Sequence, residues 1–78
     1  MKFTYRILIR FNNEVDEHIG YGESEEDFFK ILDRIHFMLN HAYLGTQCAI
    51  LYIRYNNIVI RRYRINRTTV RYLDEYTI

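Results

Sequence analysis

Residues 2–11 alternate between two sets of side chains, a pattern that only one type of secondary structure accommodates. The first set is apolar or aromatic and consists of Phe3, Tyr5, Ile7, Ile9 and Phe11. The second set is mainly polar and consists of Lys2, Thr4, Arg6, Leu8 and Arg10. A period of two residues is typical of a β-strand with one buried face. The N-terminal segment therefore predicts a strand whose apolar side lies against another layer of structure.

A helix is predicted over residues 24–43. Ser24 precedes Asp27 by three residues, which is close to the pattern of a capping box, and three acids would lie in the first turn, where the helix dipole favours them. Apolar side chains then recur at three- and four-residue spacing and predict a buried stripe. The stripe consists of Phe28, Ile31, Leu32, Ile35, Met38, Leu39 and Ala42. Gly45 is predicted to cap the end of this helix.

Residues 49–55 and 58–66 predict a second region of β-structure. Each segment alternates like a strand, and the Asn-Asn pair between them tolerates the positive φ angles of a two-residue hairpin turn. The inward alternation of the second segment breaks at Arg62. A β-bulge at Arg61 and Arg62 is therefore predicted, because it would return the following apolar residues to the core face.

Two remaining segments complete the prediction. Residues 12–22 are polar and are interpreted as a loop with a turn at Gly20, Tyr21 and Gly22. Residues 68–78 favour a short C-terminal strand. The predicted fold class is α+β: a two-layer sandwich with one α-helix packed on a mostly antiparallel sheet of three or four strands. The order is β-α-β-β, with the C-terminal strand as the fourth.

The length of 78 residues allows one hydrophobic core, so residues 1–78 are predicted to form a single domain. A hydrophobic share of 49%, with eight Tyr and five Phe, excludes a disordered chain. Cys48 is the only cysteine, which excludes an intrachain disulfide and a cysteine-based zinc site. Because small domains without such cross-links often oligomerise, we expect a homodimer. No apolar run is long enough for a membrane span, and a cytoplasmic location is expected.

One face of the predicted sheet is left without a covering layer, and its residues are the first candidate site. The predicted partner-binding residues are Arg6, Arg10, Tyr52, Arg54, Arg62 and Arg64. Lys2, Ile50 and Val59 are placed on the same face. Guanidinium groups contact phosphates while tyrosines stack on unpaired bases, and both residue types are also enriched in protein interface hot spots. A solvated face without a partner is the third interpretation.

An acidic block is the second candidate site. Residues 12–33 contain eight acids against the single base Lys30. The predicted acidic patch consists of Glu14, Asp16, Glu17, Glu23, Glu25, Glu26 and Asp27. Such a patch resembles a phosphate backbone in charge and could occupy a nucleic-acid site on another protein. Residues 12–23 also partly match the pattern of a calcium-binding loop, but Glu17 stands where such loops need glycine, so no metal site is predicted.

Catalytic patterns are lacking in the sequence, and neither an enzyme nor a cofactor is predicted. His18, His36 and His41 do not have the i, i+4 spacing of paired ligands on a helix, and no nucleophile elbow or phosphate-binding glycine loop is present. Cys48 is expected to be a small buried apolar residue. An RNA-cleaving toxin, with chemistry from Arg, Tyr and His side chains, remains the third function considered.

The sequence therefore predicts a small interaction protein that binds another protein through the arginine-rich face or the acidic patch. In size, opposed charges and composition it is similar to short accessory proteins of phages and mobile elements, including inhibitors of host defence. A nucleic-acid-binding module is the alternative. It ranks second because the whole chain carries a net charge of only +1, whereas nucleic-acid domains are usually markedly basic.

Overall fold

The structure, a computed structural model, describes residues 2–73 and contains one helix and five strands. The elements are β1 (Phe3–Phe11), β2 (Glu14–Gly22), α1 (Glu25–His41), β3 (Cys48–Tyr55), β4 (Ile58–Asn66) and β5 (Val70–Leu73). The strands form one antiparallel sheet in the order β2-β1-β3-β4-β5. The α+β class is confirmed, but the sheet has five strands rather than three or four. The predicted C-terminal strand is present as β5, and residues 74–78 lie outside the described part.

The additional strand is β2, and the prediction of a loop over residues 12–22 is wrong. Asn12 and Asn13 have φ angles of 53° and 64°, which makes the turn between β1 and β2 a two-residue type I′ turn. The two strands then pair without interruption from Phe11 opposite Glu14 to Phe3 opposite Gly22. Gly20-Tyr21-Gly22 is thus strand and not turn.

Both glycines of β2 are required by neighbouring aromatic rings. A Cβ atom at Gly20 would overlap the hydroxyl and ring of Tyr5, and one at Gly22 would overlap the ring of Phe3. The rings of β1 therefore lie across the glycine backbone of β2, where any larger residue would displace them. Glycine weakens a strand by itself, so these cross-strand contacts replace the side-chain packing that β2 lacks.

The predicted hairpin of β3 and β4 is confirmed, with Asn56 and Asn57 at φ angles of 51° and 63°. The bulge occurs slightly earlier than predicted. Val59 pairs with Arg54 and Arg61 pairs with Ile53, so Ile60 is the extra residue. As a result, Arg61, which unbroken alternation would place on the uncovered face, lies on the helix side of the sheet.

The helix begins close to its predicted start. The hydroxyl of Ser24 accepts a hydrogen bond of 3.2 Å from the backbone N–H of Asp27, and the Asp27 carboxylate accepts one of 2.9 Å from the backbone N–H of Glu23. These bonds satisfy two donors at the N-terminus. The helix ends before Gly45: its C-terminal cap is Ala42, which is exposed. Gly45, with a φ of +94°, lies in the following turn.

The core lies between α1 and the central strands. Its buried residues are Tyr5, Ile7 and Ile9 from β1, Ile31, Leu32, Ile35, Met38 and Leu39 from α1, Ala49, Leu51 and Ile53 from β3, and Tyr63 and Ile65 from β4. Within residues 2–73, none of these apolar side chains comes from β2. The helix contacts β4 and β3, and the opposite side of the sheet faces solvent. This opposite side is called the open face below.

Candidate interaction surface

The open face carries all six residues predicted to bind a partner. Directly opposed residues of antiparallel strands project on the same side, so the pairing registers define rows of neighbours across the sheet. The central row consists of Ile19, Arg6, Tyr52, Arg62 and Leu73. The next row consists of Glu17, Leu8, Ile50, Arg64 and Arg71. Arg54 and Arg10 lie on the same face at either end, because they are two residues from Tyr52 and two from Leu8.

The centre of the open face is formed by Arg6, Tyr52 and Arg62, which are neighbours on three adjacent strands. Tyr52 is directly opposite Arg6 on one side and Arg62 on the other, and both Tyr52 and Arg62 are half-buried. Arg54 is half-buried as well. One of its terminal nitrogens donates to the backbone oxygen of Asn57 at 3.1 Å, while its buried Nε has no hydrogen-bond partner within residues 2–73. The hydrogen bond to Asn57 fixes the orientation of this guanidinium beside the turn between β3 and β4.

Glu17 is the acid that the structure adds to this face. Its Oε2 lies 2.5 Å from a terminal nitrogen of Arg6 and 2.7 Å from the Nε of the same residue. The contact is a two-point pairing of one carboxylate oxygen with a guanidinium, and it occupies one of the five arginines predicted to bind a partner. The prediction missed it because residues 12–22 were interpreted as a loop.

The edge strand β2 also supplies exposed apolar side chains to the open face. Val15, Ile19 and Tyr21 are exposed to 55%, 69% and 76%. They alternate with Asp16, His18 and two glycines, which face the helix side. In a strand that covers a core the apolar residues face inward, so the pattern of β2 is inverted. The open face thus combines a basic centre with an apolar margin.

The acidic patch is not gathered into one surface by the fold. Glu17 lies on the open face, whereas Glu14 and Asp16 lie on the helix side of β2. Four acids lie at the start of α1 or just before it: Glu23, Glu25, Glu26 and Asp27. Several of them have local partners, since Glu23 pairs with Lys2 and Glu26 pairs with Lys30, both at 3.8 Å. A nine-residue strand spans roughly 30 Å, so the two groups of acids lie far apart.

The structure also brings together three polar residues that the sequence did not associate. The Nε2 of His18 is 2.9 Å from the hydroxyl of Tyr43, and the hydroxyl also interacts with Asp16. Burial raises the pKa of Tyr43, and the hydrogen bond and negative charge of Asp16 raise it further. Tyr43 is therefore held as a neutral hydrogen-bond donor. The only sequence signal for this cluster of three residues is the i, i+2 spacing of Asp16 and His18, which places them on one side of a strand.

A cleft of about 390 Å³ lies on the helix side, between the start of α1 and the turn of the second hairpin. Its apolar walls include Phe3, Phe28, Phe29, Tyr55 and Ile60. Within residues 2–73, including this cleft, no three His, Cys, Asp or Glu side chains are grouped as ligands for a metal ion. Cys48 is half-buried, in contrast to the expected full burial.

Residues 2–73 contain no helix with the length and apolar character required to cross a membrane. Comparisons with known proteins give no matching family model, no similar curated protein and no similar solved structure. The function is therefore argued from the surfaces of the molecule.

Proposed function

We propose that this chain is a non-enzymatic interaction protein that binds a partner protein through the open face and that forms a homodimer. The role fits an accessory or inhibitor protein of the kind encoded by phages and mobile elements. The observation that carries the proposal is the composition of the open face, where exposed Ile19 and Tyr21 border the row of Arg6, Tyr52 and Arg62. Arg and Tyr are enriched in protein interface hot spots, and the exposed apolar side chains beside them add surface that a partner can bury.

A protein partner accounts for more of this face than a nucleic acid does. Nucleic-acid binders present basic residues and aromatic rings to phosphates and bases. The open face instead includes the aliphatic side chains of Val15, Ile19 and Ile50, and Glu17 places a carboxylate where a phosphate would be repelled. Tyr21 and Tyr52 still offer rings that could stack on bases, which is why binding of nucleic acid is the second candidate function.

A binding role is also favoured over RNA cleavage by the separation of the groups that such chemistry needs. Cleavage of RNA requires an acid, a base and cations that bind the phosphate, all within reach of one bond. His18 lies on the helix side of the sheet, and His36 and His41 lie on α1. The six predicted basic and aromatic residues project from the opposite face.

The proposal is tested with two variants of the open face, Arg54→Ala and Arg64→Ala, and a matched control, Arg34→Ala, on the exposed part of α1. All three remove one arginine. Tagged proteins are used to capture partners from host cells, and binding to single- and double-stranded DNA and RNA is measured across a salt series. We expect the two open-face variants to lose the captured protein while the control retains it.

Binding of nucleic acid would give a different result. The logarithm of the affinity would fall with the logarithm of the salt concentration by about 0.7 to 0.9 per phosphate contact, and each open-face variant would make this slope shallower. If neither protein capture nor nucleic-acid binding depends on Arg54 or Arg64, the open face is not the binding surface.

The acidic residues around the start of α1 are then the surface to test. Mimicry of a phosphate backbone would require these carboxylates to face a partner, and Glu25 is exposed. Acids in a first helical turn are, however, favoured by the helix dipole alone. Charge reversal by Glu25→Lys would abolish partner capture if the patch acts as a mimic, and would leave capture unchanged if its role is limited to the helix.

A further inference from the structure

We infer that two copies of this chain associate through the free edge of β2, which pairs antiparallel with β2 of the partner subunit around a two-fold axis at His18. The inference rests on the self-association included in the proposed function and identifies its surface. In the resulting dimer the two sheets would form one continuous sheet of ten strands, with both helices on one side and both open faces on the other.

Alternate residues of β2 direct their backbone N–H and C=O groups away from β1. In a two-residue hairpin the residues next to the turn form a hydrogen-bonded pair, and bonded and non-bonded pairs then alternate. Phe11 and Glu14 are that first pair, so every second residue of β2 from Glu14 onward bonds to β1. The residues between them direct their N–H and C=O groups away from β1: Val15, Glu17, Ile19 and Tyr21. No other strand of residues 2–73 pairs with this edge.

The strand β2 also lacks most of the features that protect edge strands. Exposed edges are usually short, bulged, or interrupted by proline or lysine. β2 is nine residues long, pairs with β1 without a register shift, and contains neither residue. A typical strand has only about five or six residues. The protection of β2 is limited to the negative charge of Glu14, Asp16 and Glu17.

In a two-fold pairing centred on His18, no acid of β2 lies directly opposite another acid. His18 is the middle residue of Glu14–Gly22, so this axis pairs the whole strand. Each acid then faces a residue without negative charge: Glu14 faces Gly22 of the partner subunit, Asp16 faces the partner's Gly20, and Glu17 faces the partner's Ile19. Val15 faces the partner's Tyr21. A two-fold axis at Glu17 would place the Glu17 side chains of the two subunits opposite each other. An axis at Ile19 would pair a shorter length of strand.

The pairing is also consistent in its hydrogen bonds and in its apolar contacts. The pairs of Val15 with the partner's Tyr21 and of Glu17 with the partner's Ile19 join residues whose backbone groups all point outward, as an antiparallel ladder requires. The same residues carry the most exposed apolar side chains of the open face. Pairing would therefore place Val15 beside the partner's Tyr21 and Ile19 beside the partner's Glu17, while all these side chains still project from the open face.

The first test compares three proteins by sedimentation velocity over a concentration series. The wild type is expected to sediment as a species of twice the 9.7 kDa chain mass. Ile19→Pro removes an outward N–H without removing a hydrogen bond to β1, and should weaken dimerisation by about 100-fold or more. Ile19→Ala, the matched control, removes the side chain but keeps the N–H and should weaken dimerisation less. Circular dichroism establishes that each variant is folded.

A second test determines the register and does not depend on a proline variant. In a Cys48→Ser background, His18→Cys should form an intersubunit disulfide under mild oxidation, because the two side chains would face each other at the axis. Asn56→Cys, at the distant turn of the second hairpin, is the control and should not link. Linking of Ile19→Cys in place of His18→Cys would overturn the proposed axis.

These results separate the inference from the broader proposal. A wild-type monomer at high micromolar concentration would overturn self-association altogether. A dimer that survives in Ile19→Pro and forms no disulfide in His18→Cys would leave self-association standing and overturn the role of β2. Capture of a partner protein by the open face is measured separately, by the Arg54 and Arg64 variants.

Discussion

The two hairpins of this protein have the same turn and opposite side-chain patterns. Both turns are Asn-Asn pairs with positive φ angles between 51° and 64°, and both are flanked by directly paired strand ends. In the second hairpin, β3 and β4 send alternate apolar residues into the core, namely Ala49, Leu51, Ile53, Tyr63 and Ile65. In the first hairpin, β2 sends polar residues and glycines to the helix side and apolar residues to solvent.

The comparison shows that turn chemistry can establish a strand without help from its own buried side chains. The Asn-Asn turn determines the register, and β1, which is itself anchored in the core, supplies the partner backbone and the rings that cover the glycines of β2. The side chains of β2 are thereby freed from packing. Apolar residues at free positions are available for binding, which is the basis of both proposals.

The largest expected difference between the hairpins is in the free energy of unfolding. Leu51→Ala in β3 removes a fully buried side chain and should cost about 2 to 5 kcal/mol, which is close to the whole stability expected of so small a domain. Ile19→Ala in β2 should change the stability of the monomer by no more than about 0.5 kcal/mol. Urea denaturation at a concentration where the protein is monomeric measures both. Similar losses of stability in the two variants would contradict the inverted side-chain pattern of β2.

The next effect concerns the glycines that only β2 contains. Gly20→Ala places a methyl group against the Tyr5 ring and should cost about 1 to 3 kcal/mol through overpacking. Tyr5→Ala removes the ring and is destabilising by itself. In the double variant the methyl group no longer meets the ring. The double variant should therefore lose less stability than the sum of the losses in the two single variants. Thermal denaturation of the four proteins gives this coupling, and strict additivity would mean that the ring contact has no role.

The two turns are expected to respond alike, in contrast to the strands. Asn13→Ala and Asn57→Ala each place alanine at a positive φ angle, where asparagine is tolerated better. Each should cost about 1 kcal/mol, with little difference between them. Gly substitutions at the same positions are the control and should be neutral or stabilising, because glycine adopts this conformation without a steric penalty. A much smaller loss at Asn13 would show that β2 does not depend on its turn.

The sequence predicted the elements in which local pattern and tertiary position agree. The alternation of β1 and β3 placed Arg6, Tyr52 and Arg54 correctly on one face, and Ser24 indicated the start of the helix. The same Asn-Asn signal that predicted the second hairpin also stood before β2, but the polar and glycine residues at its inward positions favoured a loop. Only the rings of Tyr5 and Phe3, which arrive from another strand, explain those glycines.

Other details depended on distances that sequence spacing does not contain. The bulge falls at Ile60, one residue before its predicted place, and this reverses the side on which Arg61 lies. The contact of His18 with Tyr43 joins an edge strand to the end of the helix, 25 positions further along the chain. Likewise the pairing of Arg6 with Glu17 required the register of a strand that had not been predicted.

The smallest expected effect is that of this ion pair, which is the charge contact joining β1 to β2 on the open face. Its side chains are exposed to 45% and 37%, so water and salt screen the attraction. A double-mutant cycle with Arg6→Ala and Glu17→Ala should give a coupling of about 0.2 to 1 kcal/mol, which falls in high salt. In the second hairpin, Arg54 contacts a backbone oxygen in place of a carboxylate, so Arg54→Ala should be less sensitive to salt. A coupling that is large and independent of salt would mean that the pair is buried by a neighbouring chain. The inferred pairing at β2 would place the partner's Ile19 opposite Glu17. The coupling should therefore rise with protein concentration when β2 otherwise has its wild-type sequence, and should stay constant when the cycle is repeated in an Ile19→Pro background.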